Sequence, residues 1–186
     1  MTFGQYIVIP LFIAFQAFVM MVIAPFIPGN PESVGGPGLM AWVAFQAWAM
    51  YFLAGCTIPM GLKTLAGYFG GIVASVAIFE LAGALSGLNC GAMQWGLYLA
   101  VFIVVVAVIS AEKVPGLNFV PSWFLGAGVF FALATFGKKP AEVSVYAWYV
   151  KLAVPEMVAC ALGLVYGYVT VVFRKWYEAK FAPTKA

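Results

Sequence analysis

Residues Trp148 to Phe173 read WYVKLAVPEMVACALGLVYGYVTVVF. A spanning helix needs about 20 mostly apolar residues, and this stretch provides them. It also holds Lys151, Pro155, Glu156 and the pair Gly163-x-x-x-Gly167. A helix that met only lipid would have no use for two charges and a helix-breaking residue, since charge in the hydrocarbon needs a partner or water. The stretch therefore predicts one helix of a bundle, with the rest of the chain supplying its surroundings.

The composition agrees. Apolar residues make up 65% of the 186, charged residues only 8%, and there is no His or Asp. An ordinary soluble domain carries roughly 25% charged residues. A chain this apolar cannot cover its own surface in water, so an integral membrane protein is expected. The hydrophobic runs use up nearly all of the length, which predicts a single transmembrane domain over residues 1–173 followed by a basic tail, 174–186. The opening MTFGQYIVIP has no basic n-region, and its apolar run exceeds an ordinary signal core, so a retained first helix is expected. Net charge is +3, with Arg174, Lys175, Lys180 and Lys185 in the tail. Such a tail reads as an inner-leaflet topology signal rather than as a nucleic-acid contact.

Six segments are long and apolar enough to be helices: about 4–27, 39–55, 65–88, 92–110, 121–137 and 148–173. The connectors between them hold the Pro, Gly and most of the remaining charge, as in Pro28 to Gly38, Cys56 to Lys63 and Ala111 to Pro121. The expected fold is all-α, a polytopic bundle of about six helices. With that parity, six of the nine Lys and Arg residues fall on the side bearing both termini and three on the other. The excess predicts both termini in the cytoplasm. Six helices also admit a three-plus-three inverted repeat, with FQAWAMYFLAG in the second segment set against PSWFLGAGVFFALA in the fifth.

Glu80 and Glu156 are the two carboxylates inside the segments. Counted from Ala66, Glu80 lies about 21 Å up its helix; counted from Tyr149, Glu156 lies about 10 Å down its own. In a core about 30 Å thick these levels nearly coincide, so the two acids are expected to meet in one layer. Gly67-x-x-x-Gly71 and Gly163-x-x-x-Gly167 are close-packing sequences for membrane helices. They are expected to bring segments three and six together below the acids. Lys151 offers a charge partner, and Pro155 frees the carbonyl of Lys151 from its helical bond. Gln46, among Trp42, Phe45, Trp48, Tyr51 and Phe52, is a further candidate for contact with a neutral solute. Each acid alternatively bonds a neighbouring hydroxyl or indole and serves packing alone.

Other chemistries lack their residues. Cys56, Cys90 and Cys160 have no C-x-x-C spacing and no His to join them, so no metal site is expected. A hydrolase triad cannot be built without His. No phosphate loop or dinucleotide fingerprint stands in its required context. No enzyme and no cofactor is expected.

Three stretches carry a family resemblance: Trp48-x-x-Tyr51-Phe52 with Gly61-Leu62-Lys63; Phe119-Val120-Pro121-x-x-Phe124-x-Gly126-Ala127; and Ala161-Leu162-Gly163-Leu164-x-x-Gly167-Tyr168. In this order and spacing, over about residues 39–172, the chain resembles the YcdZ-like bacterial inner-membrane proteins, a family of unknown function. The resemblance implies a multi-pass protein of the bacterial inner membrane and assigns no functional residue. The function expected from the residues is a small channel or transporter for a small solute or cation, with Glu80, Glu156, Lys151 and Gln46 at its polar site and a homo-oligomer as its form. The other class is a non-transporting accessory subunit of a larger membrane complex, with the lipid bilayer and protein neighbours as its partners.

Overall fold

The structure is a computed structural model describing residues 1–27 and 38–181. The first connector, apart from Gly38, and the tail cation Lys185 lie outside the described residues. Within them the fold is all-helical and contains no strand, only an isolated bridge between Cys90 and Met93. Six main helices follow one another: α1 (Phe3–Phe26), α2 (Ala41–Leu53), α3 (Ile58–Ala84), α4 (Trp95–Ser110), α5 (Val120–Phe136) and α6 (Val145–Phe181). Counting the 3-10 turn that ends α4, α1, α3, α4 and α6 are each long and apolar enough to cross a membrane, while α2 and α5 are shorter. The outward surface agrees with a bilayer as solvent. Phe102, Ile103, Val106 and Ile109 of α4 are all exposed, and only Gly96 and Ala100 of that helix are buried.

Local chemistry sets the helix ends. Thr2 opens α1 with a capping box closed by Gln5. Pro10 cannot donate to the carbonyl of Tyr6, and α1 breaks there into Phe3–Tyr6 and Val8–Ile23, with a 3-10 turn at Ala24–Phe26. α2 ends in left-handed backbone at Gly55 (φ 98°) and Cys56 (φ 60°), and the Cys56 N–H returns to the carbonyl of Tyr51. α3 begins seven residues before the position expected from hydropathy. Thr57 Oγ1 accepts the Met60 N–H, and Pro59 stands in the first turn, where its missing donor is harmless. Proline and Lys63 had marked this stretch as a connector; they are instead the helix's first two turns. α6 likewise runs past Phe173 to Phe181, beyond its apolar part and through Pro155.

Two helix pairs dominate the packing, α3 on α5 and α2 on α6. In the first, an added Cβ on Gly126 would meet the Tyr68 Cα at 2.6 Å, and one on Gly67 would meet the Ser122 side chain. Ser75 Oγ donates within this contact, to the carbonyls of Gly71 (3.0 Å) and Ala127 (3.3 Å). In the second pair Gly163 lies on Ala44 and Ala47, and Gly167 on the Tyr51 ring. Here Trp48 Nε1 donates to Thr170 Oγ1 (3.1 Å), and Thr170 is within bonding distance of Gln16 Oε1 on α1 (2.8 Å). Within each pair later residues meet later residues, so the helices run parallel.

These pairs sort the chain into two groups. Residues 58–136 form a continuous unit of α3, α4 and α5, and α1, α2 and α6 form the other. Exchange of the two halves of the chain turns α3 into α6 and α5 into α2, and so turns one dominant pair into the other. The groups meet where α6 packs on α3 and α5, and α3 and α6 run antiparallel: Glu80 of α3 is bonded to Tyr146 of α6, whereas Gly61 and Leu65 share a groove with Ala161 and Leu164, a register that sets Tyr68 near the level of Glu156. An aromatic cluster of Phe79, Phe130, Phe131 and Tyr149 fills the Glu80 end.

Candidate functional site

The two acids expected to meet do not. Glu80 is exposed and accepts the Tyr146 hydroxyl at 3.4 Å. Glu156 is 0% exposed and lies near Tyr68, twelve residues or about 18 Å along α3 from Glu80. The miscount has a simple origin. A count from Ala66 and from Tyr149 starts inside both helices, since α3 begins at Ile58 and α6 at Val145. Glu80 therefore stands near the helix's far end rather than within its upper half.

The glycine pairs also have other partners than each other. Gly67 and Gly71 receive Ser122, Trp123 and Ala127 of α5, and Gly163 and Gly167 receive Ala44, Ala47 and Tyr51 of α2. Their helix-packing role stands, but α3 and α6 do not touch through them. Lys151 is exposed and forms no ion pair with Glu156; the ion pairs among the described residues are Lys113–Glu112 and Arg174–Glu178. Gln46 is half-buried on α2, with its Oε1 enclosed and without a partner. The three cysteines are free thiols: Cys160 buried, Cys56 half-buried, Cys90 exposed. No cluster of His, Cys, Asp or Glu able to hold a metal ion occurs among the described residues.

What the structure brings together is Glu156, Tyr68 and Cys160. Both carboxyl oxygens of Glu156 and the hydroxyl of Tyr68 are buried without a hydrogen-bond partner. Cys160, fully buried, follows Glu156 by one helical turn and shares its face. The isolation of Glu156 has a cause in the fold. Gly163 packs on Ala44, and Glu156 lies seven residues earlier on the same face, about 10 Å along the axis. That distance carries its level past the N-terminal end of the short α2. An acid so placed is one donor or one cation short, because an unpaired charge is among the most costly groups to bury. Tyr68 was not among the sequence candidates. Its signal is a phenol set between Gly67 and Gly70, a polar tip among apolar and small neighbours.

Apart from Gln46, the other buried polar side chains among the described residues are bonded. Gln16, Trp48 and Thr170 satisfy one another across α1, α2 and α6. Below the Tyr68–Glu156 contact an apolar groove of about 320 Å³ runs between α3 and α6, lined by Gly61, Leu65, Leu164 and Tyr168 among others. Its Gly61 wall also carries the Tyr51 ring.

No curated protein and no solved structure matches the chain. A family model described as a protein of unknown function, DUF1097, matches residues 7–174, nearly the whole length, and the chain belongs to that family.

Proposed function

We propose that this protein is a small carrier or channel that moves a small solute or cation across the bacterial inner membrane, with Glu156 at its working site. One observation supports the reading above the others. A fully buried acid with two unpartnered oxygens lies at nearly the level of an unpartnered buried phenol on the opposite helix group. Membrane proteins keep ionisable groups in such places where a substrate, an ion or a proton completes them. Glu156 and Tyr68 form the site, and Glu80 with Tyr146 closes the far end of the same interface. The carbonyl of Lys151, freed by Pro155, adds an acceptor near Glu156. Lys151 and Gln46 flank the path rather than pair with the acid. Both termini face the cytoplasm in this reading, by the excess of Lys and Arg on that side. The resemblance to the YcdZ-like inner-membrane proteins supports this reading, and a homo-oligomer is its proposed working form.

Flux of candidate solutes and cations into proteoliposomes tests it. Glu156→Gln is expected to lower flux at least tenfold, while Glu142→Gln, in the exposed connector before α6, leaves it unchanged. Unaltered flux of every candidate in Glu156→Gln would remove the basis of the reading.

A second reading rests on a different surface. Small residues Ala66, Gly70, Ala74, Ala77 and Ala107 line a groove of about 520 Å³ beside α4. Such a seam suits a partner helix, and an accessory subunit would use it. Under that reading, mild-detergent purification yields a stoichiometric membrane partner, and Ala77→Phe releases it.

A further inference from the structure

We infer that Glu156 is a proton-carrying carboxyl, and that its ionised form is held by a hydrogen bond from Tyr68 that forms across the junction of the two helix groups. The inference rests on the transport reading and names the ion of that same site. Tyr68 belongs to the α3–α4–α5 group and Glu156 to the α1–α2–α6 group. Both are buried with unpartnered oxygens, and the antiparallel register of α3 on α6, fixed by Glu80 with Tyr146 at one end and by Leu65 beside Ala161 at the other, sets them at nearly one level. A donor and an acceptor left open on facing sides of one interface are satisfied by a small shift of one side against the other. In the arrangement described here the carboxyl has no donor, and a neutral acid is the form that tolerates such a place. After the shift, the proton leaves the carboxyl for water and the carboxylate oxygen accepts the Tyr68 O–H. No other atom changes its bonding.

A divalent metal cation fits the same place poorly. The oxygens open to it are the two of Glu156, the hydroxyl of Tyr68 and the carbonyl of Lys151. Calcium takes six to eight oxygens and magnesium a near-octahedral set. The other titratable groups do not compete for the proton's place. α5 has none. That of α2, Tyr51, lies against Gly61 and Gly167, about 16 Å below Glu156 along α6. Cys160 faces Glu156 from its own helix, Lys151 is exposed, and Glu80 is engaged by Tyr146 at the other end of the interface.

Infrared difference spectroscopy on the full-length protein in lipid vesicles reads this directly. The wild type is expected to show a carboxylic acid C=O band that shifts in heavy water and disappears as bulk pH is raised. The band is absent in Glu156→Gln and unaffected in Glu142→Gln. In Tyr68→Phe its titration midpoint is displaced by about one pH unit, the size of one lost hydrogen bond to a charged group. The heavy-water shift of the wild-type band serves as a readout that needs no variant to fold. A band that never titrates, or that responds to sodium, potassium or calcium at constant pH, overturns the inference. A titrating band together with normal flux in Glu156→Gln leaves proton binding standing and fails the transport reading. Lost flux with a silent band does the reverse.

Discussion

At the scale of single residues, Glu156 sets stability against use. A buried polar group without a partner costs about 1–3 kcal/mol relative to one that is satisfied or absent. Glu156→Leu, which keeps the volume and removes both orphaned oxygens, is therefore expected to raise the thermal midpoint in detergent by several degrees while abolishing flux. Glu156→Gln replaces one unsatisfied group with another and should leave the midpoint near that of the wild type. Melting curves of the two variants, run beside the flux assay, check this. A lower midpoint for Glu156→Leu would mean that the acid is bonded after all. Trp48 presents the opposite case. Its indole N–H is bonded to Thr170 in a network that also holds Gln16, so Trp48→Phe should lower the midpoint by the equivalent of about 1 kcal/mol.

At the scale of elements, the glycines show what spacing can and cannot convey. A Cβ on Gly126 would meet the Tyr68 backbone, and one on Gly163 the Ala44 carbonyl, which belong to rigid helices and cannot move aside as a flexible side chain can. Gly126→Ala and Gly163→Ala are expected to destabilise by about 1–3 kcal/mol, the usual result of overpacking. Gly83 and Gly128 have nothing within 4 Å of an added Cβ, and alanine there should be neutral or stabilising by up to about 1 kcal/mol through helix propensity. Thermal midpoints of the four variants separate the two classes. That Gly67, Gly71, Gly163 and Gly167 serve close packing was legible in the sequence, because four-residue spacing puts small residues on one face. Their partners were not, since spacing defines a face and leaves its neighbour open. Hydropathy located all six helices. It misplaced the start of α3 because Pro59 and Lys63 resemble a connector, whereas Thr57 as cap and proline in the first turn make a helix start. That shift of two turns, together with the one turn by which α6 starts before Tyr149, is what separates Glu80 from Glu156. Tyr68 escaped notice for a related reason: its importance comes from burial opposite an acid on a distant helix, which no local pattern encodes.

At the scale of the whole molecule, the connections matter most. The chain passes between the two helix groups only twice, at Ala54–Thr57 between α2 and α3 and at residues 137–144 between α5 and α6. The first link holds Gly55 and Cys56 in left-handed backbone. Contacts within each group greatly exceed those between them, where α6 meets both α3 and α5. Two compact bodies joined by two short links are suited to rocking against each other, the usual motion of carriers built from inverted repeats. Such motion would open and close the interface that holds Tyr68 and Glu156. The Glu80–Tyr146 hydrogen bond spans that interface at one end, and side chains there are close enough to bridge. In a background with Cys56, Cys90 and Cys160 replaced by Ala, the pair Glu80→Cys and Tyr146→Cys joined by a short bifunctional thiol reagent is expected to stop flux. Cleavage of the bridge by a reductant should restore it, and each single cysteine should be insensitive to the reagent. A bridged protein that transports at the uncrosslinked rate would show that the two groups act as one rigid body, and would leave a fixed channel through the interface as the form of transport to be tested next.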